Sequence, residues 1–297
     1  MSLALAVVLA LTSALLFAIS NVVEQRVAAE APEDQSLRPE LLVTLARRPA
    51  WVAGFAADVG GYGAQAAALA VGALLVVAPL LASGLLFSLL LEAAVSRRRL
   101  HPSDLGAAVL LCAGLAVFLQ IGSPSEGRFG VPAVDWAPAA LVLAIVVAVA
   151  VLTRRHVQGP ARASLFGLAS GMTFGVNAAL TKVVVHQLGQ DPISVFWHWE
   201  IYGLAVLSVS GLVMVQSAFQ AGSLAAALPS MEVAEPVVAT IIGLVILREH
   251  LHAQDNLDRA MIAAASLAML VGLVALARSR AAHSPPVEAA RRAMSSI

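Results

Sequence analysis

Apolar residues in this chain come in long runs, broken by short polar stretches rather than alternating with them. A membrane-crossing helix needs about 20 largely apolar residues, because the hydrocarbon core is roughly 30 Å thick and a helix rises about 1.5 Å per residue. That criterion predicts nine spans: Leu3–Val23, Trp51–Ala70, Val71–Ala94, Ser103–Gly122, Trp136–Thr153, Ala163–His186, Phe196–Gln216, Gly222–Leu247 and Arg259–Ala277. Only Gly72 divides the second from the third. Leu41–Ala46 is apolar but too short to cross and is expected at the interface. The fold class is therefore all-α, a polytopic transmembrane bundle.

Composition strengthens this picture. Hydrophobic residues make up 60% of the 297 positions, charged residues 12%, and mean hydropathy is +0.87. Soluble domains carry about 25% charged residues, twice this share. The first run lacks the positive n-region of a secretory signal, so it reads as a retained span. Net charge is zero, which gives no field to favour nucleic acid. The lone cysteine, Cys112, excludes an internal disulfide and reads as a small buried hydrophobe.

Arginine placement sets an orientation, since cytoplasmic loops are rich in Lys and Arg. Arg26, Arg38, Arg47 and Arg48 follow the first span, Arg97 to Arg99 the third, and Arg154, Arg155 and Arg162 the fifth. Arg278, Arg280, Arg291 and Arg292 follow the ninth. With nine spans all four groups share one side, which predicts an outside N-terminus and a cytoplasmic C-terminus in a cell membrane. The halves also match at one constant offset: Ser13 with Ser170, Phe17 with Phe174, Ser20 with Asn177, Pro79 with Pro236 and Glu92 with Glu249. Residues 1–122 thus form one four-span repeat, 163–277 a second, and 136–153 a single span between them. An odd helix between two such units inverts the second, as in secondary transporters. Residues 278–297 read as a disordered cytoplasmic tail.

These features resemble the drug/metabolite transporter superfamily and its EamA-like repeats. The resemblance rests on the paired Pro79/Glu92 and Pro236/Glu249 spacing and the Glu235-Pro236-Val237 step, and covers most of residues 1–277. The first half is similar to the NIPA-type magnesium transporter branch, mainly over residues 47–106. Arg47-Arg48-Pro49-Ala50-Trp51-Val52-Ala53-Gly54 resembles that branch's entry to its second span, and Val76-Val77-Ala78-Pro79-Leu80 its Leu-Val-Thr-Pro-Leu step. The chain departs from the branch at Gly61-Tyr62-Gly63-Ala64-Gln65-Ala66, where the branch has Gly-Glu-x-x-Asn-Phe. Tyr62 and Gln65 replace its carboxylate and amide, and Asp58, one turn earlier, could supply the missing acid. Magnesium specificity therefore does not carry across with the motif.

Charged groups in the bilayer core cost about 2.5–3.5 kcal/mol on insertion scales, so intramembrane acids are the first candidates for function. Glu232 and Glu235 lie three residues apart near the middle of the eighth span, flanked by Pro229 and Pro236. With Pro79, these prolines are expected to break helices and free carbonyls one turn back. Asp58, Tyr62 and Gln65 make a polar stripe on the second span, and Asn177 the strongest polar candidate on the sixth. Each acid could bind a cation or an amine or couple a proton, or could be buried against polar neighbours in a kinked helix. Lys182 is expected to snorkel to its membrane edge, Glu92 and Glu249 to mark interfaces, and His198 and Glu200 to lie in an aromatic belt with Trp197, Trp199 and Tyr202.

The expected function is alternating-access transport of a small solute, either a cation (Mg2+ or another divalent) or an amine-bearing metabolite, with a proton as a coupling ion. The expected partners are the lipid bilayer and that solute, and no nucleic acid. No His-Glu-x-x-His pair, Gly-x-Ser-x-Gly elbow or Walker loop occurs, so neither an enzyme nor a cofactor is expected. A membrane scaffold or accessory subunit without transport is the alternative. Substrate identity, metal, direction of flux and oligomeric state are not legible here.

Overall fold

A computed structural model describes residues 3–28, 31, 37, 39–95, 101–121, 123–124, 127–221, 224–252 and 255–283. They form eleven helices: α1 Leu3–Ala28, α2 Pro39–Ala46, α3 Pro49–Val71, α4 Leu74–Leu81, α5 Gly84–Val95, α6 Pro102–Ile121, α7 Ala137–Thr153, α8 Gly159–Gln190, α9 Trp199–Ala221, α10 Leu224–Val245 and α11 Asn256–His283. Two residue pairs form a minimal antiparallel ribbon, β1 Ser123–Pro124 against β2 Leu251–His252. Among the described residues, seven helical segments are long and apolar enough to cross a membrane, and the apolar helix over Pro102–Phe118 is shorter. The chain is a helical, multi-pass membrane protein.

Its outer surface follows from its solvent. Val142, Ile145, Val149 and Leu152 on α7 are exposed apolar side chains, and only Leu143 and Ala150 of that helix are buried. In lipid such a surface needs no cover, and association depends on close packing of small residues. α8 meets that need along one stripe. A methyl group at Gly167, Gly171 or Gly175 would sit 2.4, 2.3 or 2.7 Å from the carbonyl oxygens of Ala227, Met231 and Glu235 on α10. The two backbones are in direct contact.

One contact pair is built twice. Ser13 Oγ on α1 donates to the Gly61 carbonyl on α3 at 2.8 Å, and the Phe17 ring covers the face of Gly61. Ser170 Oγ on α8 donates to the Gly211 carbonyl on α9 at 3.3 Å, and Phe174 covers Gly211. The four matched residues of the sequence thus play the same parts in two helix pairs.

The connections gather at two ends. At one end Leu74 and Leu75 at the start of α4 bond to Glu249 beyond α10, Arg128 bonds to the carbonyls of Ile246 and Leu247, and Phe129 stacks on His186. At the other, the Leu37 amide donates to Ser217 Oγ at 2.9 Å, and Gln220 reaches the Ala31 carbonyl. The helix α2 lies there, packed on α3 and α9 with Leu41 and Leu45 buried; at eight residues, about 12 Å, it does not cross.

Several expectations change. The divide between the second and third spans falls at Gly72–Ala73. The third span is two helices, α4 and α5, separated at Ala82–Ser83, three residues after Pro79. Ser83 Oγ bonds back to the Leu80 carbonyl at 2.6 Å and Gly84 follows, so the helix is interrupted for two residues before α5 resumes it. Pro229 and Pro236, by contrast, do not break α10, which runs through both. Cys112 is exposed on α6, so it is not a buried hydrophobe. α11 continues to His283, past the residue 278 where the tail was expected to begin, and residues 284–297 lie outside the described ones.

The end of α10 contains a strained residue. Leu247 N–H bonds the Ile242 carbonyl and Glu249 N–H bonds that of Gly243, so the last carbonyls of α10 are satisfied by residues beyond the helix. Between these two donors Arg248 lies in the left-handed region that favours glycine, at φ 52°. Left-handed backbone costs a side-chain-bearing residue about 1–2 kcal/mol. Arg248→Gly is therefore expected to raise thermal stability in detergent, by about 1 kcal/mol, with the Glu249 side chain kept in place. A lower melting temperature would show that Arg248 makes compensating contacts.

Candidate functional site

The helices enclose a cavity between the two halves, with about 630 Å³ of space outside the protein atoms, its mouth included. Asn21 and Glu24 of α1, Asp58 and Tyr62 of α3, and Glu232 and Glu235 of α10 supply its polar lining. Leu81, Ala82 and Gly84 at the α4–α5 break form one wall, so the interruption after Pro79 lies at the cavity itself. Among the described residues four carboxyl groups line the site, and no Lys or Arg does.

Each acid reaches the cavity for a local reason. Glu24 follows Phe17 by seven residues on α1, two turns along one face. Asp58 precedes Tyr62 by one turn on α3. Glu232 and Glu235 share a face of α10, and Pro236 leaves the Glu232 carbonyl without its helical donor. Asn21 Nδ2 donates to Glu232 Oε1 at 3.4 Å, a link between the halves. Glu24 is held more tightly, accepting from Ser20 Oγ at 3.0 Å and from Gln216 Nε2, whose own Oε1 accepts from Trp51 Nε1 at 3.3 Å. Among the described residues Asp58 and Glu235 have no hydrogen-bond partner, which leaves their oxygens for a ligand or water.

The other wall is aromatic. Tyr62 lies edge-on to Phe17, with ring centroids 5.0 Å apart, and 6.0 Å from Phe174. The matched phenylalanines of the two halves therefore flank one tyrosine. Carboxylates with aromatic faces suit a cation that carries apolar surface, since ring faces attract ammonium groups within about 6 Å. Among the described residues no three His, Cys, Asp or Glu come close enough to hold a metal ion.

The sequence candidates divide accordingly. Glu232, Glu235, Asp58, Tyr62 and Pro236 line the cavity. Gln65 does not: it is buried on α3 with Oε1 lacking a partner among the described residues. Asn177 is also off the cavity, donating to Ser208 Oγ at 3.1 Å between α8 and α9. Pro79 is buried above the α4–α5 break, and Pro229 lies a turn from the site. Sequence reasoning passed over Glu24 and Asn21 as lining residues, although Glu24 is as anomalous in an apolar helix as Asp58. It also misplaced Lys182 and Glu249. They are 3% and 0% exposed and form a buried ion pair, so Lys182 does not snorkel and Glu249 is no interface marker. The Glu92 side chain lies outside the described residues.

No protein-family model matches the chain, and no solved structure matches it. An uncharacterized protein of Corynebacterium glutamicum is 35% identical over 276 residues, covering 93% of this chain and 95% of that one.

Proposed function

Since the chain belongs to one family with that Corynebacterium glutamicum protein, whose activity its description leaves open, we propose a function from the site: transport of an amine-bearing organic cation across the membrane by alternating access. One observation carries this reading: among the described residues, four carboxyl groups and no basic side chain line a cavity between the two halves of a membrane bundle. Each intramembrane acid is costly to insert, and a cationic solute offsets that cost when it binds. Asp58 and Glu235 hold the ammonium group, Glu232 is positioned by Asn21, and Tyr62 with Phe17 and Phe174 takes the apolar part. Glu24, tied to Gln216 and Trp51, is the candidate for carrying a coupling proton.

The proposal includes nine crossings in a four, one, four order, with an inverted repeat and a cytoplasmic C-terminus. The duplicated Ser–Gly and Phe–Gly contacts support the repeat. The gathering of alternate connections at opposite ends supports the crossing number. Membership of the drug/metabolite transporter superfamily is part of the same proposal, as is the absence of enzymatic chemistry. The magnesium branch's acid is replaced by Tyr62, and three metal ligands do not converge among the described residues. A hydrated divalent ion, held through water by the spread carboxylates, is the second reading, because magnesium keeps several waters in its sites.

Aromatic truncation separates the two. In proteoliposomes, Tyr62→Ala and Phe174→Ala are expected to raise the KM for an arylalkyl amine by about 2–30-fold, the range of one cation–π contact. Flux of magnesium through the same vesicles, untouched by either substitution, would favour the hydrated ion.

A further inference from the structure

The cavity's α4 wall is a short helix fixed at one end and broken at the other. At its cavity end α4 stops at Leu81, and Ala82 and Ser83 form the turn into α5, which begins at Gly84. At its far end the amides of Leu74 and Leu75, which no residue of α4 itself can satisfy, donate to Glu249 at 2.9 and 2.8 Å. This capping carboxylate comes from the other half of the protein. It is fully buried and paired with Lys182 of α8, also buried.

The surroundings hold this junction closed. The turn after α10, with Arg248 in the left-handed region and Glu249 N–H bonded to the Gly243 carbonyl, sets the Glu249 side chain against the start of α4. Non-glycine residues persist there only where neighbouring structure enforces it. Gly127, at φ 73°, packs so closely that a methyl group on it would lie 2.8 Å from Glu249 Cγ. Next to it, Phe129 places its ring 5.5 Å from Lys182 Nζ and stacks on His186.

We infer that α4 is a gate of the cavity, hinged at Ala82–Gly84 and latched shut by Glu249 and Lys182. All eight residues from Leu74 to Leu81 are buried, so in this state α4 closes the cavity towards the end that carries the Gly72–Ala73 turn. Release of the Leu74 and Leu75 amides frees the outer end, and the glycine-containing turn takes up the rotation. The same release strips a buried carboxylate of two amide donors and leaves those amides without their acceptor, so the latch favours the closed state until solute contacts offset it. This inference rests on the transport reading but is tested without any substrate.

The test uses one reporter cysteine, Ala82→Cys, with Cys112→Ser, in the full-length protein in intact membranes. The latch is removed by Lys182→Met with Glu249→Leu, which leaves neither charge unpaired and keeps similar volume. A membrane-impermeant maleimide added on the side bearing Gly72–Ala73 is expected to label the unlatched protein about tenfold faster than the latched one, a modest shift of a two-state equilibrium. Labelling from the opposite side should not rise. An unchanged rate in unlatched protein that elutes as a monodisperse peak overturns the latch, and so does an equal rise from both sides. Arg248→Gly, which keeps both charges, is the control and should label at the latched rate. If the gate opens as expected while no amine is carried by the latched protein, the transport reading fails and the gate stands.

Discussion

Glu235→Gln, and separately Asp58→Asn, are expected to reduce amine flux by about 30-fold or more while the protein still folds. Removing one partner from a buried charge interaction costs about 2 kcal/mol or more, because the remaining charge is left without its counterpart. Both side chains face the cavity, and among the described residues neither has a hydrogen-bond partner, so the amide replacements break no internal contact. Stability is expected to hold or rise, since a neutral group is cheaper to keep in the membrane than a carboxylate. Flux in proteoliposomes with melting temperature in detergent checks both halves of the statement. A variant that melts far below the unsubstituted protein would reassign the acid to structure.

Gly171 gives the second large effect. A methyl group there would lie 2.3 Å from the Met231 carbonyl oxygen and 2.8 Å from its Cα, both backbone atoms that cannot rotate away. Gly171→Ala must therefore push α10 off α8, at about 1–3 kcal/mol for overpacking, and Gly171→Leu is expected to yield no monodisperse protein. Displacement of α10 carries Glu232 and Glu235 with it, so flux should fall in Gly171→Ala even where the protein survives. Gly63→Ala provides the contrast, with nothing within 4 Å of the added methyl. There the better helix propensity of alanine should stabilise the protein by up to about 1 kcal/mol. Size-exclusion profiles and thermal melts of the two alanine variants test the difference.

The membrane bundle was legible because its signal is one-dimensional: unbroken apolar runs need only length to be recognised. The acids Glu232, Glu235 and Asp58 stood out for the same reason, since a carboxylate inside such a run is anomalous whatever surrounds it. What failed was depth and direction. Gln65 shares a face with Tyr62 on α3 but lies beyond the cavity. Asn177 follows Phe174 by three residues, yet its amide turns to Ser208 on α9. Helical spacing names a stripe, not the neighbour it meets. The Lys182–Glu249 pair is separated by 67 residues, and nothing local to either residue indicates the other.

The prolines show how equal motifs diverge. Pro79 and Pro236 occupy matched positions, but the chain breaks only after the first. Ser83 and Gly84 follow Pro79, and a hydroxyl that bonds back with a residue lacking Cβ allows the turn. Thr240 and Ile241 stand at the matched places after Pro236, and α10 continues. The helix is broken on one side of the cavity and continuous on the other, so the two halves are unequal there. That inequality places the hinge in the first half and the acid pair in the second.

Counterflow in proteoliposomes shows whether the protein carries an amine through the acid-lined cavity. Vesicles loaded with an excess of unlabelled arylalkyl amine are diluted into a trace of the labelled compound, with no pH or ion gradient present. Transient accumulation of label is expected, abolished when Asp58→Asn and Glu235→Gln are combined. Equal accumulation in that double variant, or none for any amine while magnesium crosses the same vesicles, would contradict it.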